Sequence, residues 1–367
     1  MNILFIISDL GDVSKGRFGG AERVASLLCN SWAESNHVTL ILSSACCNKS
    51  PYFLSERVAV VPLLSDDGRR KHFLYKVHLL RKQIKKIKPN VIVTFFDTVS
   101  LLAFLASRPS RIPLVTSERN APSVFPKKHI WRLLRLFLYH NFDGVVFQTR
   151  GARDFFSNQI VDKSIIIENP LVLDNLPNSN PHRFHGGVFV SVGRLDPQKQ
   201  FDFLISTFVD FHRLHPSSTL IIYGEGCERS SLSRLIENCG ASSFVRLGGF
   251  ASDVFAVLND ADFFVSASAF EGFPNALVEA AAYGIPCIAT DCPDGGSKAV
   301  LIGRDKGHQL FPVNDASNLL SCMEFSISNY PMLRSRAMEY SNSLRERLSC
   351  KIVSGKWLSY LSSFLNK

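Results

Sequence analysis

The 367-residue chain has no run of about twenty apolar residues, so hydropathy provides no membrane-spanning helix. It has no C-x-x-C pair. Its nine cysteines, Cys29, Cys46, Cys47, Cys227, Cys239, Cys287, Cys292, Cys322 and Cys350, are odd in number and scattered. That pattern argues against a disulfide framework or a zinc site and favours free thiols in a reducing cytoplasm. No G-x-G-x-x-G occurs; "GEGCER" at Gly224 to Arg229 fails as a dinucleotide fingerprint, as does the glycine set ending at Gly20. The opening "MNILFIISDLGD" is too short in its apolar run, and too soon followed by acids, for a secretion signal; it reads as a first strand. Short repeats and low-complexity tracts are also lacking.

Acidic residues are missing from one segment. Residues 69–88 hold nine Lys or Arg and no acid, whereas the rest of the chain balances at 32 basic and 32 acidic residues, so this segment carries the whole net charge of +9. Within it Phe73, Val77, Leu80, Ile84 and Ile87 follow helical steps and form an apolar stripe, while Lys71, His78, Lys82, Lys85 and Lys86 project opposite. A merely solvated face usually mixes signs. No nucleic-acid recognition motif accompanies the charge. An anionic membrane or a lipid diphosphate fits better, the more so beside residues 125–142, where Trp131, Phe137 and Tyr139 interleave with Lys127, Lys128, Arg132 and Arg135.

The chain is 46% hydrophobic with 29 Phe, enough for two cores. Apolar strand-like runs alternate with helical patterns almost throughout, which predicts an α/β fold with doubly wound parallel sheets. The expected strands are six in the first half, "NILFIIS", "VTLILSS", "VIVTFF", "PLVTSE", "GVVFQT" and "SIIIEN", and six in the second, "VFVSVGR", "TLIIYGEG", "FVRLGG", "DFFVSAS", "PCIATD" and "HQLF". The Asn-, Pro- and Gly-rich stretch 169–187 is the candidate linker. The expected division is a first Rossmann-like domain over 1–175, a second over 176–345, and a terminal helix over 346–367 that crosses back to the first. Ligands in such sheets bind outside the carboxyl ends of strands, which points to a deep cleft between the domains.

Three motifs stand at those ends. Gly19 and Gly20 precede a helix and permit close backbone approach to a ligand, although either glycine set alone is more often a tight turn. Arg194 and Lys199 follow the first strand of the second half and suit a diphosphate, or are two solvated loop cations. In "FEGFPNALVEAAAYG", Pro274 suits a first helical turn and Gly284 a helix end, so a helix is predicted from Pro274 or Asn275 to Tyr283. Glu271 then lies in the preceding loop and Glu279 about one turn inside; on spacing alone these are equally a solvated loop charge and a solvated helix residue.

Taken in order, Gly-Gly-Ala-Glu-Arg, Gly-Arg-Leu-Asp with Lys199, Gly-Glu-Gly, Glu-Gly-Phe-Pro-Asn with Glu279, and Gly-Ile-Pro-Cys before Thr290 closely resemble the retaining glycosyltransferases of family 4, which have the GT-B fold. The resemblance covers essentially the whole chain and is densest from Val190 to Gly295. It implies that Glu279 accepts hydrogen bonds from the nucleotide ribose, that Glu271 lies at the transferred sugar, and that the main chain of Phe273, Pro274, Asn275 and Ala276 meets sugar and diphosphate. It further implies that Arg194 and Lys199 neutralise the leaving diphosphate without a metal or other cofactor, and that the strand around Arg246 holds the base. The sequence departs from the family at two places: Arg119 stands where many relatives have a histidine near the sugar hydroxymethyl or the reacting centre, and is a catalytic candidate in its stead or a ligand for an anionic group, and Ser297 and Lys298 replace a Pro-Glu. The implied reaction is transfer of a hexose or N-acetylhexosamine from a nucleoside-diphosphate sugar, with UDP expected, onto a polyprenyl-diphosphate-linked glycan. Front-face substitution with retention is the implied route. The implied place is the cytoplasmic face of the inner membrane, with the protein peripherally bound and no nucleic acid as partner. The alternatives are a nucleotide-sugar epimerase of similar fold and a non-catalytic membrane or polyanion-binding module.

Overall fold

The computed structural model describes residues 1–11, 19–44, 50–64, 72–172, 184–251, 253–301 and 307–365. Lys71, and most of the candidate linker at 173–183, lie outside the described residues. The chain forms two compact units, one from 1–170 with 348–367 and the other from 171–347.

The first unit contains β1 (Asn2–Ile7), α1 (Gly20–Trp32), β2 (His37–Leu42), β3 (Val58–Pro62), α2 (Phe73–Ile87), β4 (Val91–Phe95), α3 (Asp97–Ser107), β5 (Leu114–Ser117), α4 (His129–Asn141), β6 (Gly144–Phe147), α5 (Arg150–Asp154), α6 (Asn158–Val161) and β7 (Ser164–Ile166). The second contains β8 (Val188–Val192), α7 (Phe201–Leu214), β9 (Thr219–Tyr223), α8 (Arg229–Asn238), β10 (Val245–Gly249), α9 (Val254–Leu258), β11 (Phe263–Ser266), α10 (Asn275–Tyr283), β12 (Cys287–Thr290), α11 (Gly296–Val300), β13 (Gln309–Phe311), α12 (Ala316–Ser328) and α13 (Tyr330–Arg347). The last helix, α14 (Cys350–Ser362), belongs to the first unit.

The sheets run β3-β2-β1-β4-β5-β6-β7 and β10-β9-β8-β11-β12-β13, with every pair parallel. Helices cover both faces of such sheets, so the central strands are buried and mostly apolar; β4 is buried at every position. One strand differs from expectation: β3, "VAVVP", is an edge strand with mostly exposed side chains, and its brevity and terminal proline hide it in the sequence. In both units the strand order reverses beside the first strand, between β1 and β4 and between β8 and β11. At such a switch point the loops diverge and leave a crevice at the carboxyl ends.

Each unit has its own core. In the first, Phe5, Trp32, Phe95 and Trp357 pack ring against ring, with Trp32 and Trp357 centroids 5.8 Å apart, and this contact carries α14 onto α1. In the second, Phe189, Phe208, Phe211 and Phe263 fill the space between β8, β11 and α7.

The helix α2 departs from its expected wheel. Val77, Leu80 and Ile84 are buried as expected, but Phe73 is exposed, as are its neighbours Leu74 and Tyr75. The apolar stripe therefore leaves the core at the first turn.

Candidate active site

The second unit's switch point is assembled by backbone contacts that only small residues allow. The loop after β8 is tied to the loop after β9: Leu195 N–H donates to the Glu225 carbonyl at 3.0 Å, and Gly193 N–H to Tyr223 at 2.9 Å. A Cβ at Gly224, whose φ is +147°, would land on the Gly193 carbonyl oxygen. The same β8 loop is tied to the loop after β11, where Ala269 N–H donates to the Gln198 carbonyl at 2.8 Å and the Gln198 amide to the Phe270 carbonyl at 2.9 Å. These bonds bring Lys199 to Glu271: Nζ lies 2.5 Å from Oε1, with side-chain exposures of 19% and 9%. A Cβ at Gly296 would sit 2.6 Å from the Glu271 carbonyl oxygen, so the paired glycines 295 and 296 let the start of α11 close against this loop. Thr290 Oγ donates to the Ser268 carbonyl at 2.6 Å and anchors it from β12.

From there α10 begins. Pro274 is extended at φ −81°, ψ 94°, and Gly284 ends the helix at φ 86°, ψ 22°, its N–H reaching the carbonyls of Ala280 and Ala281. The first turn of any helix leaves main-chain N–H groups without intrahelical acceptors, and here that turn comprises Asn275 and Ala276 next to buried Phe273 and Pro274. Glu279 is 4% exposed, so neither it nor Glu271 is a solvated charge. Arg194 is not gathered into this cluster; it is 67% exposed and pairs with Asp196 at 3.1 Å. Arg246 is exposed on the edge strand β10. Among the described residues no group of three or more His, Cys, Asp or Glu is placed to hold a metal ion. The sequence contains one Asp-x-Asp spacing, Asp260 and Asp262. It is structural: Asp262 is fully buried and accepts main-chain N–H bonds from Gly187 at 2.9 Å and Val188 at 2.8 Å.

At the first unit's switch point lies a cavity of about 420 Å³, lined from Ser8 past β1, Phe96 to Thr98 past β4, Ser117 to Asn120 past β5, and by Trp131 and Tyr139 of α4. Buried Glu118 organises its floor. One carboxylate oxygen accepts the main-chain N–H groups of Arg119 and Asn120; the other accepts Arg135 Nη1 and the Tyr139 hydroxyl, both at 3.1 Å. Arg119 lies over the Phe95 ring at 3.6 Å and donates to Asn169 at 2.6 Å, while its Nε and Nη2 are shielded from solvent without a partner among the described residues. Burial lowers its pKa to about 9, which leaves it a cation at neutral pH. Burial, reinforced by Glu118 and opposed by Arg135, raises Asp97 from 3.8 to about 7. Gly20 opens α1 and is exposed, and Glu22 of the same turn reaches the cavity wall.

Asp97, Glu118 and the inward turn of Arg135 and Tyr139 onto Glu118 escape motif reading. The available signal was an aspartate directly after a fully buried strand, in "VIVTFFD". Two basic residues expected on the outer face are turned inward. Arg135 is buried against Glu118, and Arg132 donates to the carbonyls of Ser123, Val124 and Pro126, where its guanidinium braces the loop before α4. Lys82, Lys85, Lys86, Lys127 and Lys128 are exposed.

Similarity to known proteins agrees with this architecture. A family model described as Glycosyltransferase Family 4 matches residues 18–174, and one described as Glycosyl transferases group 1 matches 174–341. The chain is 27% identical over 245 residues to an uncharacterized glycosyltransferase of Methanocaldococcus jannaschii, of whose length it spans 60%, the share of this chain also being 60%. It is 25% identical over 315 residues, 83% of each chain, to a Campylobacter jejuni α-1,4-N-acetyl-D-galactosaminyltransferase that acts on a GalNAc-containing diNAcBac-PP-undecaprenol. The crystal structure of HepE from Anabaena in complex with UDP and glucose superimposes with a TM-score of 0.81 at 19% identity, over 99% of this chain and 100% of that one. Two Rossmann-like parallel-sheet units of this kind define the GT-B fold. The chain belongs to glycosyltransferase family 4, a family of transferases.

Proposed function

We propose that the enzyme transfers a hexose or N-acetylhexosamine, with retention, from a UDP-sugar to a saccharide carried on a polyprenyl diphosphate, while bound peripherally to the cytoplasmic face of the inner membrane. The observation that carries the donor reading is the Lys199–Glu271 pair, held at 2.5 Å between two switch-point loops immediately before α10, which bears buried Glu279. Breaking an anomeric C–O bond leaves negative charge on the departing phosphate, and a cation fixed in advance stabilises that charge as it develops. Lys199 is that cation in this reading, with Arg194 joining from its exposed position, and no metal is assigned. Glu271 faces the sugar and Glu279 the ribose hydroxyls. UDP in the HepE complex supports the choice of nucleotide, and the undecaprenyl-linked substrate of the Campylobacter relative supports the acceptor class.

Surface chemistry supports the membrane reading. Leu74 at 75% exposure and Ile130 at 67% project from α2 and α4. Lys82, Lys85 and Lys86 on α2, and Lys127 and Lys128 before α4, are exposed as well. Apolar side chains flanked by lysines favour an anionic interface, each cation there contributing about 1 kcal/mol. No helix among the described residues is long and apolar enough to cross a membrane.

The test is a panel of UDP- and GDP-sugars with a polyprenyl-diphosphate-linked disaccharide, read by nucleotide release and by the anomeric configuration of the product. UDP release dependent on the acceptor, with the donor configuration kept, is expected. A product formed from the nucleotide sugar alone would return the epimerase reading, which the family assignment does not favour.

A further inference from the structure

We propose that Arg334 and Arg345 of α13 are positioning residues for the donor site: they hold the carboxyl end of α10 and so fix where its first turn and Glu279 stand. What the fixed site binds rests on the donor reading above; the clamp itself is made of bonds within the second unit.

The carbonyls that end α10 can be followed one by one. Gly284 turns its N–H back onto Ala280 and Ala281, which leaves the carbonyls of Ala282 and Gly284 to find donors outside the helix. Two arginines supply them. Arg345 Nε donates to the Ala282 carbonyl at 2.7 Å, and Arg334 Nη1 donates to that of Gly284. The neighbouring helix α11 is closed from α13 in the same way: the Tyr340 hydroxyl donates to the Val300 carbonyl at 2.6 Å, and Arg347 Nη2 to that of Ala299 at 3.4 Å.

The sequence of α13 is arranged for this contact. Arg334, Met338, Ser341 and Arg345 recur at steps of four, three and four, so they share one face of the helix, and that face lies on α10. Gly284 lets it come close, since a Cβ there would sit 2.5 Å from the Met338 sulfur and 3.4 Å from the Ser341 hydroxyl. Arg334, Arg345 and Arg347 are half-buried, whereas Arg336, the remaining arginine of α13, is exposed. Burial lowers the pKa of Arg334 and of Arg345, so each guanidinium is kept there against the cost of its desolvation. A helix that needed only a polar face would leave these charges in water.

Charge or position could carry the contact to the donor end of α10. Charge is the weaker, because a cation at a helix carboxyl end acts mainly on the last turn, and nine residues span about 13 Å. Position is the stronger. The carboxyl half of α10 contains Ala280, Ala281 and Ala282, a smooth surface that interdigitation locks only weakly against sliding, so hydrogen bonds pin its end. Asn275, Ala276 and Glu279 ride on the same short rod, and a misplacement of about 1 Å at a working group can cost on the order of a hundredfold.

The experiment joins hydrogen exchange without nucleotide to UDP titration of the full chain, in the native protein, Arg334→Met, Arg345→Met and the exposed control Arg336→Met. The Val278 amide donates to the Pro274 carbonyl at 3.0 Å at the opening of α10, far from the clamp. It should exchange about tenfold faster in either clamp variant and at the native rate in the control. UDP should bind roughly tenfold more weakly to each clamp variant, at a temperature where both are folded. With Glu279→Ala already in place the same substitutions should cost less than about threefold, because changes that act through one group do not add. Arg334→Lys and Arg345→Lys keep a cationic donor for the carbonyl and should stay within about threefold of native affinity. Exchange accelerated only at residues 282–285, native UDP affinity in a folded methionine variant, an undiminished loss beside Glu279→Ala, or no rescue by lysine would overturn the proposal and reduce the arginines to end caps or packing. A native protein that binds no UDP would remove the donor reading, while exchange at Val278 would still decide the clamp, so the two failures are distinguishable.

Discussion

The two units share a strand order and place their crevices at the same topological position, yet they build them from different materials. In the second unit the loops after β8, β9 and β11 are stitched by main-chain hydrogen bonds, and glycines 224, 226 and 296 let one backbone lie against another. Side-chain chemistry is reduced there to a few groups, Lys199, Glu271 and Glu279. In the first unit the floor is a buried polar network, with Glu118 receiving four donors and Arg135 fully enclosed. A site made of backbone leaves short, recurrent glycine motifs in the sequence. A site made of long-range side-chain pairs leaves almost none. Recognition of a constant nucleotide suits the first kind of construction, and recognition of a variable saccharide suits the second.

The sharpest way to break the comparison is Glu118→Ala. Removing it strands the enclosed Arg135 guanidinium, and breaking a buried ion pair from one side costs about 3–5 kcal/mol. The loss should appear as faster hydrogen exchange in β5, β6 and α4, with UDP affinity unchanged. Loss of UDP binding alongside it would show that the units are not chemically separate.

Its counterpart is Gly224→Ala, which forces a Cβ against the Gly193 carbonyl at a backbone angle that L-residues rarely adopt. A cost of about 3 kcal/mol is expected, confined to β8, β9 and their loops, with UDP affinity reduced. Exchange in the first unit should stay native.

Acid should weaken the second unit further. His308 is fully buried, accepts the Cys287 N–H on Nδ1, and has its pKa lowered by burial from 6.5 to about 3. Between those values the unfolded chain binds a proton that the folded one refuses, so stability is lost as pH falls below 6.5. The contribution reaches about 2 kcal/mol at pH 5. His308→Gln should remove this slope from urea unfolding monitored at several pH values; a slope that persists would assign the acid sensitivity elsewhere.

The smallest effect on folding is expected from Lys82→Glu, Lys85→Glu and Lys86→Glu combined, since all three are exposed and surface changes rarely exceed about 0.5 kcal/mol each. Binding to vesicles containing anionic phospholipid should nevertheless fall sharply, as should the salt sensitivity of that binding. Native vesicle affinity in the triple variant would remove the membrane role of α2.

These contrasts also explain what could be read from the chain. The helix α10 was legible to within one residue because its start and stop are local: Pro274 admits a first turn, and Gly284 takes the left-handed end. Lys199 and Glu271 were each legible as candidate site residues through the family resemblance, but their contact spans 72 positions and follows from strand order, not from any local pattern. Arg132 and Arg135 read as surface cations because a helix wheel shows direction without showing what waits there; a carbonyl-lined loop and Glu118 draw them inward. Asp97 and Glu118 needed the cavity to be noticed at all. The strand β3 has its apolar run, Val58 to Val61, but Pro62 at its end reads as a strand breaker, whereas a terminal proline is tolerated at a sheet edge.

The central claim is that the second unit holds a nucleotide through the α10 site, and titration of UDP onto the native protein and Glu279→Ala tests it most directly. Loss of charged hydrogen bonds to the ribose should weaken UDP by roughly 1.5–3 kcal/mol, about 10- to 150-fold, in a variant whose hydrogen exchange in the first unit is native. UDP affinity equal to that of the native protein, in a folded Glu279→Ala, would contradict the account.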